Sequence, residues 1–181
     1  MKSKVLFAAL FIAALFSSSF VSAQTVYTVE EMMAKAPTLV GQTVQIKGLA
    51  HHVCAVTGRK LFMSDADGNK IFRVNAGKEI AKFDKTVVDS IVIATGVVTE
   101  NRTYVPDLKK QLVAVKEAAK AKKKLEHCDS EAKAEGLTLA ATPTQRINQQ
   151  IAGLKKQIKA GGKDYIANYT INDCNIYSIA K

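Results

Sequence analysis

Hydrophobic positions recur along this chain in three rhythms, and each predicts a different element. The first is strand-like. Between Thr43 and Cys54, Val44 and Ile46 alternate with Gln45 and Lys47, and Gly48 interrupts the run where a bulge or tight bend is expected. Val56-Thr57-Gly58 reads as a turn, Arg59–Ser64 as a second strand, Asp67-Gly68 as a hairpin signal and Lys70–Asn75 as a third strand. Gly77–Asp84 then reads as a short helix with Ile80 and Phe83 on one side, and Ser90–Thr99 as a fourth strand, apolar on both faces. A fifth strand falls within Asp164–Ala180. Its phase slips near Asp173, so a bulge or a short hairpin is expected at Asn172–Asn175.

The second rhythm is helical. Thr28 and Glu31 have the spacing of a capping box, which predicts a short helix from Thr28 that ends before Pro37. Its Val29, Met32 and Met33 would close one end of a core. Pro106 suits the start of a longer helix striped by Leu108, Leu112, Val115 and Ala119. Gly136 and Leu137–Ala141 read as a break. Thr142-Pro143 starts another helix, in which Ile147, Ile151, Leu154 and Ile158 recur at helical steps until Gly161-Gly162. Two such stripes joined by a linker predict an antiparallel helical hairpin over residues 105–160.

The third rhythm is an unbroken apolar run, Val5–Phe16, preceded by Lys2 and Lys4 and followed by Ser17–Ser19 and Val21-Ser22-Ala23. Twelve apolar residues are too few to span a membrane, which takes about 20. This is the pattern of a secretory signal peptide over residues 1–23, removed by cleavage before Gln24. Residues 24–181 then form one exported domain, periplasmic or secreted, in a compartment where cysteines can pair. No second long apolar run predicts a transmembrane segment in the mature chain.

Composition sharpens this picture. The chain is 48% apolar and 23% charged, a globular profile, and its formal charge is +10. Removal of Lys2 and Lys4, with no acid lost, leaves the mature chain at +8, which favours polyanions. Gly-x-Ser-x-Gly, His-Glu-x-x-His and phosphate-binding Gly-rich loops are absent, so no catalytic motif stands out and an enzyme is not expected.

The order helix, three-stranded meander, short helix and fourth strand, with Val44–Phe62 running through His52-Val53-Cys54 and Arg59-Lys60, resembles exported bacterial OB-fold proteins of the tRNA_anti-like or BOF type. The likeness covers about a third of the chain and rests on a pattern of elements rather than a diagnostic motif. It implies a mainly β, α+β fold: a five-stranded OB-fold-like Greek-key barrel with the helical hairpin inserted between strands four and five. It also implies a ligand-binding barrel, with nucleic acid the superfamily's commonest ligand.

On such a barrel the ligand would lie across strands one to three. Arg59, Lys60 and Arg73 would hold an anion there, with Phe62 and Phe72 interleaved as stacking surfaces for single-stranded nucleic acid or another anionic ligand. The phenylalanines can equally be core, since each strand buries one face. A second grouping places each histidine within three residues of a cysteine: His51, His52 and Cys54, then His127 and Cys128, with Cys174 apart. On an extended strand His52 and Cys54 share a face roughly 6–7 Å apart. They could ligate Zn or Cu if His127, Cys128 or Cys174 converged on them. The same cysteines could instead form one disulfide, in any of three pairings, or be ordinary core residues. No other cofactor is implied.

The lysines at 109, 110, 116, 120 and 122–124 read as a solvated helix face, and Asp65-Ala66-Asp67-Gly68-Asn69 as a hairpin turn rather than a calcium loop. Three functions remain open: a non-catalytic module for an anionic ligand, a periplasmic metal or thiol-redox protein built on the His/Cys cluster, or a protein-interaction module working through the hairpin.

Overall fold

The computed structural model describes residues 25–121, 134 and 141–180. The apolar leader (1–23), Lys122–Lys124, His127, Cys128, and the break at Gly136 with residues 137–140 lie outside the described residues. Among the described residues there are six strands: β1 (Val26–Thr28), β2 (Thr43–Val53), β3 (Lys60–Ser64), β4 (Ile71–Ala76), β5 (Ile91–Tyr104) and β6 (Tyr165–Ile179). The helices whose ends lie among the described residues are α1 (Val29–Lys35), α2 (Val105–Lys120) and α3 (Pro143–Lys159).

β2, β3 and β4 form an antiparallel meander. β5 returns to pair with the other side of β2, from Thr43 to Leu49, and β6 fits between β4 and β5. The order β2-β3-β4-β6-β5 thus closes on itself through β2–β5 into a five-stranded barrel, with β4 and β6 parallel. This is the OB-fold-like Greek-key arrangement, mainly β with a helical insertion between its last two strands. β1 adds a short parallel strand beside β2.

Alternation decides which side chains fill the barrel. Val44, Ile46 and Ala50 of β2 meet Leu61 and Met63 of β3, Val74 of β4, Val92 of β5 and Ile171 of β6 in one core. α1 closes one end. Its first turn is held by a capping box in which the Glu31 amide donates to Thr28 Oγ1 and the Thr28 amide to the Glu31 carboxylate. Val29 and Met32 are buried against the core, whereas Met33 is exposed on the flank rather than inside.

The expected interruption at Gly48 is a close approach and not a bend. β2 runs straight through it, and a Cβ there would come within 2.6 Å of Val29 Cγ2 and 2.9 Å of the Ser64 carbonyl. The bulge lies further on, between Ala50 and His52. The slip near Asp173 is also a bulge within one continuous strand, with Asp173 at φ 51° and register shifts against both neighbouring strands.

Residues 77–84 are not helical. The Arg59 guanidinium donates to the carbonyls of Ala76, Gly77, Ile80 and Ala81, at 2.9 to 3.4 Å, so these oxygens are spent on a side chain instead of on helical amides. Phe83 nevertheless reaches the core, edge-on to Tyr177.

β5 and β6 pair well beyond the barrel, as far as Tyr104 with Tyr165, and the helices spring from this ribbon. α2 and α3 pack on each other through Leu108, Ile147 and Leu154, with Ile166 of β6 against them. Lys109, Lys110, Lys116 and Lys120 face solvent. Among the described residues no helix is long and apolar enough to cross a membrane.

Gly96 points into the barrel where β5 crosses the β6 bulge, and a Cβ there would sit 2.5 Å from both the Asn172 carbonyl and Ile171 Cγ2. Backbone cannot yield as a flexible side chain would. Gly96→Ala is therefore expected to lower unfolding stability by about 1–3 kcal/mol in urea titration, with an unchanged m-value. Gly153→Ala, in open space on α3, should be neutral or slightly stabilising.

Candidate functional site

The β2 bulge settles which way the histidine–cysteine strand faces. Ala50 and Val53 both enter the core although they stand three positions apart, an odd step that plain alternation would send to opposite faces. His52 is thereby turned outward, opposite Phe62 of β3, with the two rings 5.9 Å apart and inclined by 31°. Phe62 lies between the inward Leu61 and Met63, so it also points away from the barrel. It meets Cys54 and Ile71 in a second apolar cluster, separate from the core, on which Ala134 packs.

Basic side chains flank this cluster. Arg73 is the cross-strand partner of Phe62, and Lys60, two residues before Phe62, is paired with Asn75. Both are half-exposed. The outer face of β2–β4 therefore gathers His52, Cys54, Lys60, Phe62 and Arg73. Lys70 lies at the end of the same hairpin, ion-paired with Glu30. Its turn is closed by Asp65, whose Oδ1 accepts from the amides of Asn69 and Lys70.

Other predicted site residues go elsewhere. Phe72 alternates with Arg73 and belongs to the core, 4% exposed. The Arg59 head group is bound to the carbonyls of the 76–81 loop, away from Phe62. Cys174 is fully buried in the core, its thiol donating to the Ile176 carbonyl at 3.4 Å. Cys54 and Cys174 are both free thiols, so of the three possible disulfide pairings the one between these two does not form. His51 sits exposed at the bulge. Among the described residues no three His, Cys, Asp or Glu side chains converge as a metal site would require.

A polar extension of the face was not anticipated as a site. Thr170 of β6 pairs with Arg73 on one side and Thr99 on the other. Asn101 Nδ2 donates to Thr170 Oγ1 at 3.0 Å, and Thr170 Oγ1 donates to Asn172 Oδ1, which also accepts from Asn75 Nδ2 at 2.6 Å. The alternation of Asn168, Thr170 and Asn172 along the last strand was the signal that could have placed them together. Beside α1, a cleft of about 150 Å³ is lined by Met33, Phe72, Ala167 and Tyr169, among others.

Electrostatics separate the two thiols. Burial raises the Cys54 thiol, but the Thr57 amide and hydroxyl, the Val56 amide and the charge of Lys60 outweigh it and hold the thiol below its ordinary value. Burial pushes Cys174 up to about 11. His52 is lowered by burial and by the neighbouring charges of His51 and Lys85, which favours neutral imidazole at pH 7. Phe62 is 0% exposed, so it does not offer the stacking surface expected of it. What the face presents is a half-exposed, neutral imidazole and the cations of Lys60 and Arg73, a set that can lie against a ring and neutralise an anion.

No protein-family model, no curated protein and no solved structure matches the chain.

In fully reduced protein the alkylation rate of Cys54 should rise with a midpoint below the ordinary thiol value of about 8.5. Cys174 should stay unmodified at pH 8 until the barrel is unfolded. Peptide mass mapping across a pH series reads both, and equal reactivity of the two thiols would contradict the placement described.

Proposed function

We propose that this protein is an exported, non-catalytic binding module that takes an anionic ligand, an oligonucleotide or another polyanion, on the outer face of β2–β4. The observation that carries this is the grouping of Arg73, across from Phe62, and Lys60, two residues along β3, on the face that also holds His52, on the meander of an OB-fold-like barrel. The resemblance to tRNA_anti-like and BOF-type proteins and the excess of basic residues support the same reading. Arg73 and Lys60 are the residues for phosphate or carboxylate oxygens, and His52 is the exposed ring. Arg59 and Phe72 support the face from behind, one by fixing the 76–81 loop and the other by filling the core.

A second reading, a metal or thiol-redox centre at His52 and Cys54, draws on one specific feature, the lowered thiol of Cys54. Metal content and free-thiol count on protein purified without chelator separate the two. About one equivalent of zinc or copper would favour the metal centre.

For the binding module, affinity for an oligothymidylate should fall steeply between low and physiological salt as counterions are re-taken. Lys60→Ala and Arg73→Gln should each weaken binding by roughly 1 kcal/mol or more and make the salt slope shallower. Phe72→Leu should leave affinity unchanged while lowering stability. Fluorescence anisotropy at several salt concentrations measures these effects, and no binding at low salt would end the nucleic-acid reading.

A further inference from the structure

The seam between β4 and β6 is incomplete at one end. Their parallel pairing begins at Arg73 with Thr170 and runs on to Ala76 with Cys174. The residues just ahead of it, Ile71 and Phe72 on β4 and Ala167, Asn168 and Tyr169 on β6, are not joined by a ladder. Each stretch is paired on its other side, Ile71 and Phe72 with β3 and residues 167–169 with β5. One backbone edge of each strand therefore faces the gap, and strand geometry turns the N–H and C=O of alternate residues toward it.

The cleft beside α1 occupies this gap. It is lined by these five residues together with Met33 and Ala134. Met33, which its spacing would have placed in the core, is 43% exposed and stands as a wall of the cleft. Phe72 turns its ring into the core, which leaves Met33 and Tyr169 to meet the faces of an occupant. The Tyr169 hydroxyl donates to the Glu100 carboxylate at 3.3 Å, and this contact fixes the orientation of the ring.

Size and chemistry together select what fits. The cleft holds about 150 Å³, and a cavity of about that size takes one benzene ring. A thioether and a tyrosine ring suit the faces of a flat occupant. A hydrocarbon ring would leave the main-chain groups of the gap without partners, and each such loss is unfavourable. A planar heterocycle with donors and acceptors along its edge satisfies both walls and backbone. A pyrimidine is a single ring of that kind, whereas a fused purine exceeds the space. Arg73 follows Phe72 on β4 and lies on the outer face, so a phosphate attached to a base in the cleft comes out beside that guanidinium.

We propose that the gap between the leading ends of β4 and β6 is a pocket for one pyrimidine base of a single-stranded oligonucleotide. The base lies between Met33 and Tyr169, with its polar edge against the main chain of residues 167–169 and its phosphate at Arg73. The pocket itself rests on the open seam; the oligonucleotide that brings the base to it rests on the anionic-ligand function proposed above.

Two measurements on the mature chain test this. In the first, protein carrying ¹³C-labelled methionine methyls is titrated with thymidine, a neutral nucleoside that needs no cation. The Met33 resonance should move, while those of Met32 and Met63, both 0% exposed, serve as references. In the second, anisotropy compares an oligothymidylate with an abasic strand of the same length and charge. The oligothymidylate should bind roughly tenfold more tightly. Ala167→Leu, which fills the cleft, should remove both the thymidine response and the preference, with folding checked by thermal unfolding. Met33→Ala, a change at an exposed position, should reduce the preference several-fold.

An unmoved Met33 resonance and equal affinity for the two strands would overturn the pocket and leave the anionic-ligand function standing. A preference that survives Ala167→Leu would also overturn it, and would place the stacking on His52. A thymidine response at Met33 with no binding of either strand at low salt would uphold the base pocket and overturn the anionic-ligand function.

Discussion

The barrel closes at Gly96, and the position of every outer-face residue depends on that closure. β5 pairs with β2 along one edge and with β6 along the other, so it is the seam of the cylinder. At the seam the backbone of the Asn172–Cys174 bulge presses to within 2.5 Å of where a side chain at position 96 would start. Only glycine lets the two backbones approach so closely while Ile171 fills the space inside. With the seam shut, β6 lies parallel to β4 and Thr170 falls beside Arg73, which extends the Lys60–Arg73 face into the Asn75–Asn172–Thr170–Asn101 chain.

The same seam fixes where the insertion goes. β5 and β6 continue past the barrel as a ribbon, and α2 and α3 grow from its far end. A two-stranded ribbon has two faces. One carries Glu100, Arg102, Tyr165 and Tyr169, with Arg102 bridged to Glu100 and lying 4.6 Å over the Tyr165 ring. The other carries Ile166, Asn168 and Thr170, and it is this side that the helices cover. The alternation of one strand therefore brings the insertion to the face where the meander exposes its cations.

Elements governed by neighbouring residues were legible in the sequence. The Thr28–Glu31 box, the hairpin turn at Asp67-Gly68 and the helix start at Thr142-Pro143 form where they were expected, each closed by a side chain three to five positions from its target: Thr28, Asp65 and Thr142. What was hidden depended on distant partners. The segment 77–84 has helical composition, but Arg59, some twenty residues upstream, takes its carbonyls. β5 runs five residues past Thr99, through Glu100, Asn101 and Arg102, because β6 is there to pair with it, and no hydrophobic pattern marks that stretch. Which way His52 and Cys54 face turned on a bulge one turn of pleat beyond the glycine that signalled it. That bulge is set by pairing with β3, not by anything local. The basic and aromatic residues of the site were visible as types, whereas their sorting into Phe62 outside and Phe72 inside required the register.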